Sequence, residues 1–248
     1  MTATITPMTS AHLQELIDLE ERYWWHISKR RLVGSLLQRF APPAGNLVEG
    51  GVGSARNLRE WEQMGYRAEG FDLMPESVEH ACQRGLTARV HDLEQPWPVE
   101  SGSCRAVVLL DVIEHTAHPE TVLQHAADVL APGGCAIVTV PAYPSLYSQW
   151  DRLLGHYRRY TRHELRREAR EAGLSVEWLS HWNSVSLPPA LFLRTLERLT
   201  AGRKESEFPR VSSWLNAALC AALTLERRLL SWVRVPCGLS LVAVLRKS

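Results

Sequence analysis

Apolar residues follow two different spacings along the chain. Between residues 11 and 39 they recur every three or four positions, as at Leu32, Leu36 and Leu37, which predicts a helical region. The cluster Pro42 to Gly45 ends this region, because proline removes a backbone donor and restricts the residue before it. We therefore place a boundary there, between an N-terminal helical segment and a second unit that begins at residue 44.

From residue 46 onward, short apolar runs alternate with longer amphipathic ones. The short runs predict strands at 46–49, 68–72, 88–91, 106–111 and 135–140, and the longer ones predict helices near 55–64, 76–84 and 119–130. Alternating strands and helices require crossover connections, so we expect an α/β fold with a parallel sheet covered on both faces. Because such sheets bind ligands at the carboxyl ends of their strands, functional side chains are expected just after each strand.

Composition and charge exclude several classes of protein. The chain has 248 residues, of which 45% are hydrophobic and 22% charged, and its formal net charge is +1, so neither disorder nor nucleic-acid binding is indicated. Its five cysteines are scattered without a CxxC pair, which argues against a disulfide framework and a zinc site and favours a reducing, cytoplasmic setting. Because no run of 18 apolar residues occurs, we expect no transmembrane segment.

The residues after the first three strands suit an adenosine-like ligand. Glu49 to Gly53 is rich in glycine, but Arg56 stands where the GxGxxG phosphate-binding pattern needs a further glycine. Asp72 ends the second strand, where a carboxylate can accept hydrogen bonds from both hydroxyls of a ribose. Asp92 follows the third strand and is placed to accept from the exocyclic amine of adenine. These positions predict an adenosine-type ligand without phosphates.

Five motifs, in this order, give the chain a resemblance to a known family. They are Val48 to Gly53, Phe71-Asp72, His91 to Leu93, Asp111 to His115 and Leu130 to Gly134. On these motifs the chain resembles the class I S-adenosylmethionine-dependent methyltransferases. The resemblance covers roughly residues 20 to 246, because a bacterial subgroup of the family shares the aromatic-basic helix Tyr23 to Arg31 and the loop Gly155 to Tyr160.

This resemblance implies a fold and a cofactor. The fold is α/β, a Rossmann-like, doubly wound, mostly parallel seven-stranded sheet, with an N-terminal helical lid at 1–43 and a methyltransferase domain at 44–248. A helical cap insertion at 186–236 precedes the last strand and is divided by a polar break from Gly202 to Ser206. Its apolar stretch from Trp214 to Trp232 suits a cap on the substrate pocket, a dimer face, a peripheral membrane contact or plain core packing. The implied cofactor is S-adenosylmethionine, and no metal is expected.

The resemblance also implies a set of cofactor-binding residues. They are Trp25, Arg30, Glu49, Gly51, Gly53, Asp72, Leu73, Asp92, Leu93 and Asp111. The Glu49 carboxylate would lie near the methionine amine of the cofactor or cap the following helix. Trp24 and Trp25 would close over the cofactor, because two adjacent rings on a helix cannot both face the core, and Arg30 or Arg31 would reach its carboxylate.

The loop Gly155 to Tyr160 is the candidate acceptor site. It leaves the fifth strand at the active edge, and a capping box at Thr161 and Glu164 begins the next helix. We predict His156 as proton acceptor, because an imidazole titrates near neutral pH, and His115 as a second base or a structural donor. Substrate contacts are predicted at Tyr143, Tyr157, Arg159 and Tyr160. The alternative is a solvated basic loop packed against the N-terminal helix.

Three positions depart from the usual glycine loop of the family. An apolar residue usually stands at Gly50, a small, cysteine-like residue at Val52, and a third glycine at Ala55. We expect Gly50 to loosen the end of the first strand, and alanine to be tolerated at residue 55 if its φ stays negative. Reduced affinity for the cofactor is the expected consequence.

The predicted activity is methyl transfer from S-adenosylmethionine to a hydroxyl, carboxylate or amine of a small molecule, by a monomer or a homodimer. A protein or peptide acceptor is one alternative, and a catalytically weak S-adenosylmethionine-binding partner protein is another. A deep aromatic pocket would favour a small molecule, whereas an open groove would favour a peptide. A dehydrogenase is disfavoured because the glycine turn lacks the phosphate-binding spacing.

Overall fold

A computed structural model describes residues 10–192 and 211–247 of the chain. The described residues form a seven-stranded sheet in the order β3-β2-β1-β4-β5-β7-β6. Its strands are β1 (Asn46–Gly50), β2 (Arg67–Asp72), β3 (Ala88–Val90), β4 (Cys104–Leu110), β5 (Leu130–Pro141), β6 (Leu174–Trp182) and β7 (Ser240–Lys247). The first five strands pair in parallel, and β7 runs antiparallel to both β5 and β6. The predicted mostly parallel, doubly wound α/β sheet is therefore confirmed.

Helices cover both faces of this sheet. They are α1 (Ser10–Leu19), α2 (Trp24–Phe40), α3 (Arg56–Gln63), α4 (Pro75–Gln83), α5 (Pro119–Val129), α6 (Gln149–Leu153), α7 (Arg162–Glu171), α8 (residues 187–192, at the end of a described segment) and α9 (Ser213–Leu229). The helical region predicted for residues 11–39 is thus two helices. Tyr23 separates them with extended backbone angles, and the Trp24 N–H that begins α2 donates to Oδ1 of Asn216 at 2.9 Å.

The fifth strand begins earlier than predicted. Leu130 already pairs with Cys104, and after a shift in register Cys135 pairs with Ala106. The chain therefore accommodates the turn-like Pro132 to Gly134 within the strand, with Gly133 at a φ of 72°. A pattern of apolar residues does not detect such an irregularity, because the residues between the two registers are an alanine, a proline and two glycines, which are typical of a turn.

The sheet separates two hydrophobic cores. Neighbouring residues of β1 point to opposite faces, so that Val48 belongs to the core beneath α5 and α7 and Leu47 to the core beneath α2 and α3. Leu223 of α9 belongs to the second core as well. Consequently α2 and part of the 186–236 insertion form one layer of the fold, with α9 packed against α2.

The structure tests two expectations from the sequence, namely the absence of a membrane-spanning helix and the absence of disulfide bonds. In the part of the chain that the structure describes, no helix combines the length and the apolar character needed to cross a bilayer. The five cysteines, all of them in described segments, are free thiols, with Cys104 and Cys135 buried in the sheet.

Candidate active site

A cavity of about 1670 Å³ opens at the carboxyl ends of the parallel strands. Its size exceeds the roughly 300–1,000 Å³ of a typical ligand pocket, so it has room for a cofactor and an acceptor together. Thirteen of the predicted site residues line it: Trp25, Arg30, Gly51, Gly53, Asp72, Leu73, Asp92, Leu93, Asp111, His115, His156, Tyr157 and Arg159. The topology thus brings together residues from the turns and loops that follow β1 to β4, from the loop between α6 and α7, and from helix α2.

Asp72 connects the turns that follow β1 and β2. Its Oδ2 accepts the Gly53 N–H and its Oδ1 accepts the Met74 N–H, each at 2.9 Å. Burial raises the pKa of Asp72, although these two hydrogen bonds oppose the rise. Each oxygen retains a lone pair toward the cavity for a hydroxyl donor. The carboxylate is therefore fixed by the backbone and suited to a vicinal diol such as that of ribose.

Gly51 provides the close backbone approach beside this carboxylate. Its φ is 71°, and a Cβ at this position would lie 2.7 Å from Cγ2 of Val112. No side chain fits there, so the turn presents bare backbone to the cavity. Asp92 also lines the cavity, as do the apolar side chains of Leu73 and Leu93. This carboxylate, glycine turn and apolar flank fit an adenosine-type ligand.

At two of these positions, Ala55 and Gly50, the structure differs from the expectation. Ala55 has a φ of 59°, contrary to the expectation of a negative value, and this left-handed conformation costs an alanine about 1–2 kcal/mol. At Gly50 a Cβ would lie 2.7 Å from Cδ2 of Leu109, so packing between β1 and β4 requires glycine there. Gly50 therefore makes room for a neighbouring side chain, and the expected loosening of the strand end is not its main effect.

Glu49 lies behind the glycine turn, outside the wall of the cavity. Its carboxylate accepts hydrogen bonds from Trp61 Nε1 at 2.9 Å and from Asn57 Nδ2 at 3.3 Å. Burial raises the pKa of Glu49 to about 8 against the effect of these two donors. Asn57 itself lines the cavity, so it is the side chain that stands between Glu49 and a ligand.

Helix α2 reaches the cavity through Lys29, a residue that sequence reasoning missed. Lys29 Nζ lies 2.7 Å from Oδ2 of Asp111, and Thr139 donates to the other oxygen at 3.0 Å. Although burial opposes it, the Lys29 charge and hydrogen bond hold the pKa of Asp111 below its ordinary value. The signal was available, because Lys29 follows Trp25 by four positions and so shares its helix face.

The two other predicted α2 residues are held by protein groups. The Trp25 ring lies 4.8 Å from the Trp182 ring, centroid to centroid. Arg30, expected to reach the cofactor's carboxylate, donates instead to the Glu20 carbonyl at 3.0 Å and lies near two acidic side chains, Glu21 and Glu60. Its guanidinium thus ties α2 to the segment before it.

Asp151 organises the acceptor end of the cavity. Its Oδ1 lies 3.0 Å from His156 Nδ1 and 2.7 Å from Arg159 Nε, and its Oδ2 accepts the Ser148 N–H at 2.9 Å. Burial would raise the pKa of Asp151, but the hydrogen bond from His156 and the charge of Arg159 outweigh it and hold the pKa at about 2. Arg159, predicted as a substrate contact, therefore holds this buried carboxylate and also donates to the Ala142 carbonyl.

Glu114 and His115 stand opposite His156, in the short 3₁₀ helix Ile113–His115 that follows β4. The His115 ring meets the His156 ring edge-on at 4.6 Å. The His115 residue retains solvent exposure at the cavity wall, and the desolvation of its ring, followed by the effect of His156, lowers its pKa to about 4. Glu114 is fully buried, and burial together with Asp111 raises its pKa.

The loop that carries His156 is pinned at both ends. The Tyr157 N–H donates to the Glu114 carbonyl at 2.7 Å, and the predicted capping box of Thr161 and Glu164 is confirmed. Among the described residues, two predicted substrate contacts lie outside the cavity wall. Tyr143 stacks on His181 at 5.3 Å, and Tyr160 is buried in the core with 1% of its surface exposed. The parallel bridge between Ala142 and Tyr160 draws both tyrosines toward the sheet.

Comparison with known proteins decides the family. Residues 24–178 match a family model described as a methyltransferase domain. The chain belongs to this methyltransferase family. The fit of Asp72, the glycine turn and the apolar flank to an adenosine-type ligand agrees with S-adenosylmethionine, the cofactor that the sequence motifs imply.

Individual relatives of the methyltransferase are distant. A ubiquinone biosynthesis O-methyltransferase from Xanthomonas axonopodis pv. citri is 26% identical over 102 residues, which cover 39% of this chain and 43% of that protein. The match thus spans less than half the length of the curated relative.

Solved structures share the fold of this methyltransferase. A chain from the complex of the Haloferax volcanii Trm112 methyltransferase activator with a methyltransferase is 22% identical, with a TM-score of 0.63 and coverage of 95% of this chain and 94% of that one. Phosphoethanolamine N-methyltransferase 2 of Haemonchus contortus, solved with S-adenosyl-L-methionine, is 16% identical, with a TM-score of 0.64 and coverage of 96% of this chain and 57% of that one.

Proposed function

We propose that this methyltransferase transfers a methyl group to a hydroxyl oxygen of a small molecule. The observation that carries the proposal is the contact between His156 and the buried carboxylate of Asp151 at the cavity wall. Because a carboxylate only accepts, His156 Nδ1 donates to it, and Nε2 keeps the lone pair that can take a proton. A hydroxyl acceptor must lose a proton, whereas a neutral amine needs no base before transfer. The name of the Xanthomonas relative, an O-methyltransferase, supports the same acceptor atom.

The cofactor end of the cavity has a holding role in this proposal. When bound, S-adenosylmethionine supplies an electrophilic methyl group on a sulfonium. Asp72 would hold the ribose hydroxyls of the cofactor, and Asp92, Leu73 and Leu93 would hold its adenine. The Gly51 turn would contact the cofactor through backbone atoms. Asn57, oriented by Glu49, would lie nearest the methionine portion. The chain's contribution is mainly proximity and orientation.

The acceptor end has a proton-handling role. His156 Nε2 would accept the hydroxyl proton, and the Asp151 carboxylate would stabilise the resulting imidazolium. Arg159 would be a positioning residue, because its guanidinium holds the Asp151 carboxylate in contact with His156. Tyr157 lines the cavity with 45% of its surface exposed and would contact the acceptor at the cavity rim.

Two helical segments would enclose the bound molecules. Residues 1–43 would serve as the lid, since Lys29 clasps Asp111 and Trp25 packs on Trp182 at the cavity edge. Residues 186–236 would serve as the cap, since Leu215 and Leu219 of α9 line the cavity. The predicted break from Gly202 to Ser206 lies outside the described residues.

A macromolecular contact is a second candidate role for the cap. Trp214 and Trp232 near the two ends of α9 are 74% and 87% exposed, and exposed tryptophans are favoured at protein and membrane interfaces. These exposed rings suit contact with a protein partner, a second copy or a membrane surface. A protein or peptide acceptor would use the same contact to bring its methylated residue to the cavity.

Matched acceptors test the proposed reaction. The methyltransferase is assayed with small aromatic hydroxyl compounds and with amine and carboxylate analogues of the same skeleton, and the products are identified by mass. Methylation of the hydroxyl series is expected, and His156→Ala is expected to lower kcat by roughly 10²–10⁴ without weakening cofactor binding. His118→Ala is the control, because His118 is exposed and outside the cavity wall. Transfer to amines alone, or near-normal turnover in His156→Ala, would contradict the proposal.

A further inference from the structure

Three metal-ligating side chains meet at the acceptor end of the cavity. Glu114, His115 and His156 each offer one donor atom, and these atoms lie within 4.8 Å of one another. All three residues line the cavity. Two of them are adjacent in the 3₁₀ helix after β4 and the third lies in the loop after α6, so two rigid attachments hold the group together.

Within the described part of the chain, the Glu114 carboxylate lacks a partner. Among the described residues, neither of its oxygens has a hydrogen-bond partner in another residue, and its exposure is 0%. The two nearby cationic side chains, Lys29 and Arg159, are paired with Asp111 and Asp151. A buried carboxylate without a partner costs several kcal/mol if it is charged, so a further cation at this position would remove that cost.

The surroundings of His156 match those of a metal-bound histidine. Such a histidine donates its second ring N–H to a carboxylate or a carbonyl, which fixes the ring and directs the other nitrogen to the metal. His156 Nδ1 lies 3.0 Å from Asp151, and this carboxylate is itself held by Arg159 and Ser148. The outer shell of such a site is therefore already built around Nε2.

We propose that Glu114, His115 and His156 bind one divalent transition-metal ion, of which Zn²⁺ is the probe. Two imidazoles and one carboxylate are a donor set that suits Zn²⁺, Fe²⁺, Co²⁺ and Ni²⁺, and they leave a coordination position open, as catalytic sites do. Bonds of about 2.0–2.2 Å to a tetrahedral ion bring the donor atoms to roughly 3.3 Å apart. Binding would therefore require the donor atoms to approach one another by at most about 1.5 Å.

The role of the ion rests on the proposed hydroxyl acceptor. A hydroxyl oxygen at the open position would have its pKa lowered by the ion and would lose its proton to water. With the ion bound, His156 Nε2 is a ligand, so activation of the hydroxyl passes from the ring to the ion. A substitution at Glu114 distinguishes activation by the ion from activation by the His156 ring, because His156 can act as a base without Glu114 whereas the ion needs Glu114 as a ligand.

Metal binding is measured without cofactor or acceptor, on tag-free protein stripped with a chelator. Equilibrium dialysis is expected to show one Zn²⁺ per chain, and Glu114→Gln and His156→Ala to weaken it at least tenfold. Asp151→Asn is expected to weaken it roughly 10- to 100-fold through His156. His118→Ala is the matched control and is expected to bind as the wild type does. Glu114→Gln preserves side-chain shape, so it tests the site if the histidine variant does not fold.

Two results would overturn the site. One is the absence of Zn²⁺ binding by the stripped protein, and the other is equal affinity in the wild type and Glu114→Gln. The exposed thiols Cys82 and Cys237 are the competing ligands, and a thiolate charge-transfer band in the Co²⁺ spectrum would reveal binding there and contradict the proposal.

Activity assays keep the two proposals apart. If the stripped enzyme methylates hydroxyl acceptors at an undiminished rate and binds no Zn²⁺, the metal site fails and the proposed function stands. If Zn²⁺ binds as expected but methyl groups pass only to amines, the site stands and the proposed function fails. If both hold, Glu114→Gln loses turnover in parallel with its loss of Zn²⁺ affinity.

Discussion

The two ends of the cavity are built in different ways. At the cofactor end, the site is formed mainly by the backbone. Two backbone N–H groups hold Asp72, and there is no space for a side chain at Gly51. At the acceptor end, buried charged side chains hold one another, with Asp151 bound by His156 and Arg159 beside the unpartnered Glu114. The first end depends on turn geometry, whereas the second depends on charge pairing.

This difference teaches where the protein can tolerate change. A backbone-built site survives most substitutions around it, because its donors are main-chain groups. A side-chain network in a buried setting is sensitive at each member, because removing one partner leaves the others charged and unpaired. The acceptor end should therefore be the more fragile of the two, in stability as well as in activity.

The largest expected effect comes from removing the centre of the acceptor end. Asp151→Ala leaves Arg159 and His156 without their buried partner, and we expect a loss of about 3–5 kcal/mol in the free energy of unfolding, measured with urea. Glu120→Ala is the control, because Glu120 pairs with His118 at the surface and such a pair contributes about 0–1 kcal/mol. If both variants lost the same free energy of unfolding, the idea that the acceptor end depends on buried charge pairing would be contradicted.

Glu49, the buried carboxyl behind the cofactor end, should make the free energy of unfolding depend on pH. Because burial raises the pKa of Glu49 to about 8 in the folded cofactor-free protein, its protonated form favours folding at low pH. This contribution is complete below the ordinary carboxyl pKa of about 4.3 and is lost as the pH rises to about 8. In the wild type, the free energy of unfolding should fall by about 1.4 kcal/mol per pH unit in that window, and in Glu49→Gln this fall should be absent.

Urea unfolding of both proteins at pH 6 and pH 8 checks this prediction. The variant keeps a donor-matched environment, since its carbonyl can accept from Trp61 and a rotated Asn57 amide can accept from its NH₂. Parallel pH profiles of the two proteins would mean that Glu49 is ionised in the free protein. Cofactor affinity, measured alongside, should fall in the variant if Glu49 orients Asn57.

The smallest of these effects tests the ligand contact at the cofactor end. Asp72→Ala is expected to weaken S-adenosylmethionine binding at least tenfold, about 1.4 kcal/mol, because two charge-assisted hydrogen bonds are lost. Calorimetry on folded protein measures it, and Asp92→Ala should weaken binding less. An unchanged affinity in Asp72→Ala would show that the turns alone hold the cofactor.

The sequence predicted the cofactor end better than the acceptor end. Asp72 and Gly51 each follow their own strand, so a local pattern together with the rule that ligands bind at strand ends is sufficient to find them. Glu114 and Asp151 reach the acceptor site only because the loop from Gly155 to Tyr160 folds back onto the end of β4, and this long-range contact has no local sequence pattern. The spacing of Ser148 and Asp151 did contain a capping box, but that signal does not show that the acid also binds His156.

Predictions that depended on backbone detail fared least well. The left-handed conformation of Ala55 has no signature in a sequence where alanine replaces glycine, since the intrinsic preference of alanine opposes it. Tyr143 and Tyr160 were expected at the cavity because they follow the active edge in sequence. The bridge from Ala142 to Tyr160 turns this part of the chain toward the core instead.

The antiparallel strand β7 has a consequence for how this protein could evolve. Trp182 at the end of β6 is paired with Ser240 at the start of β7, so the chain leaves and rejoins the sheet at one point beside the cavity. A segment inserted between neighbouring positions costs little in closure entropy, about 0.6 kcal/mol for each doubling of its length. Segments of different length and composition can therefore be exchanged at this point while the cofactor turns stay intact. Descendants of one scaffold could in this way acquire new acceptors by replacing a single stretch of chain.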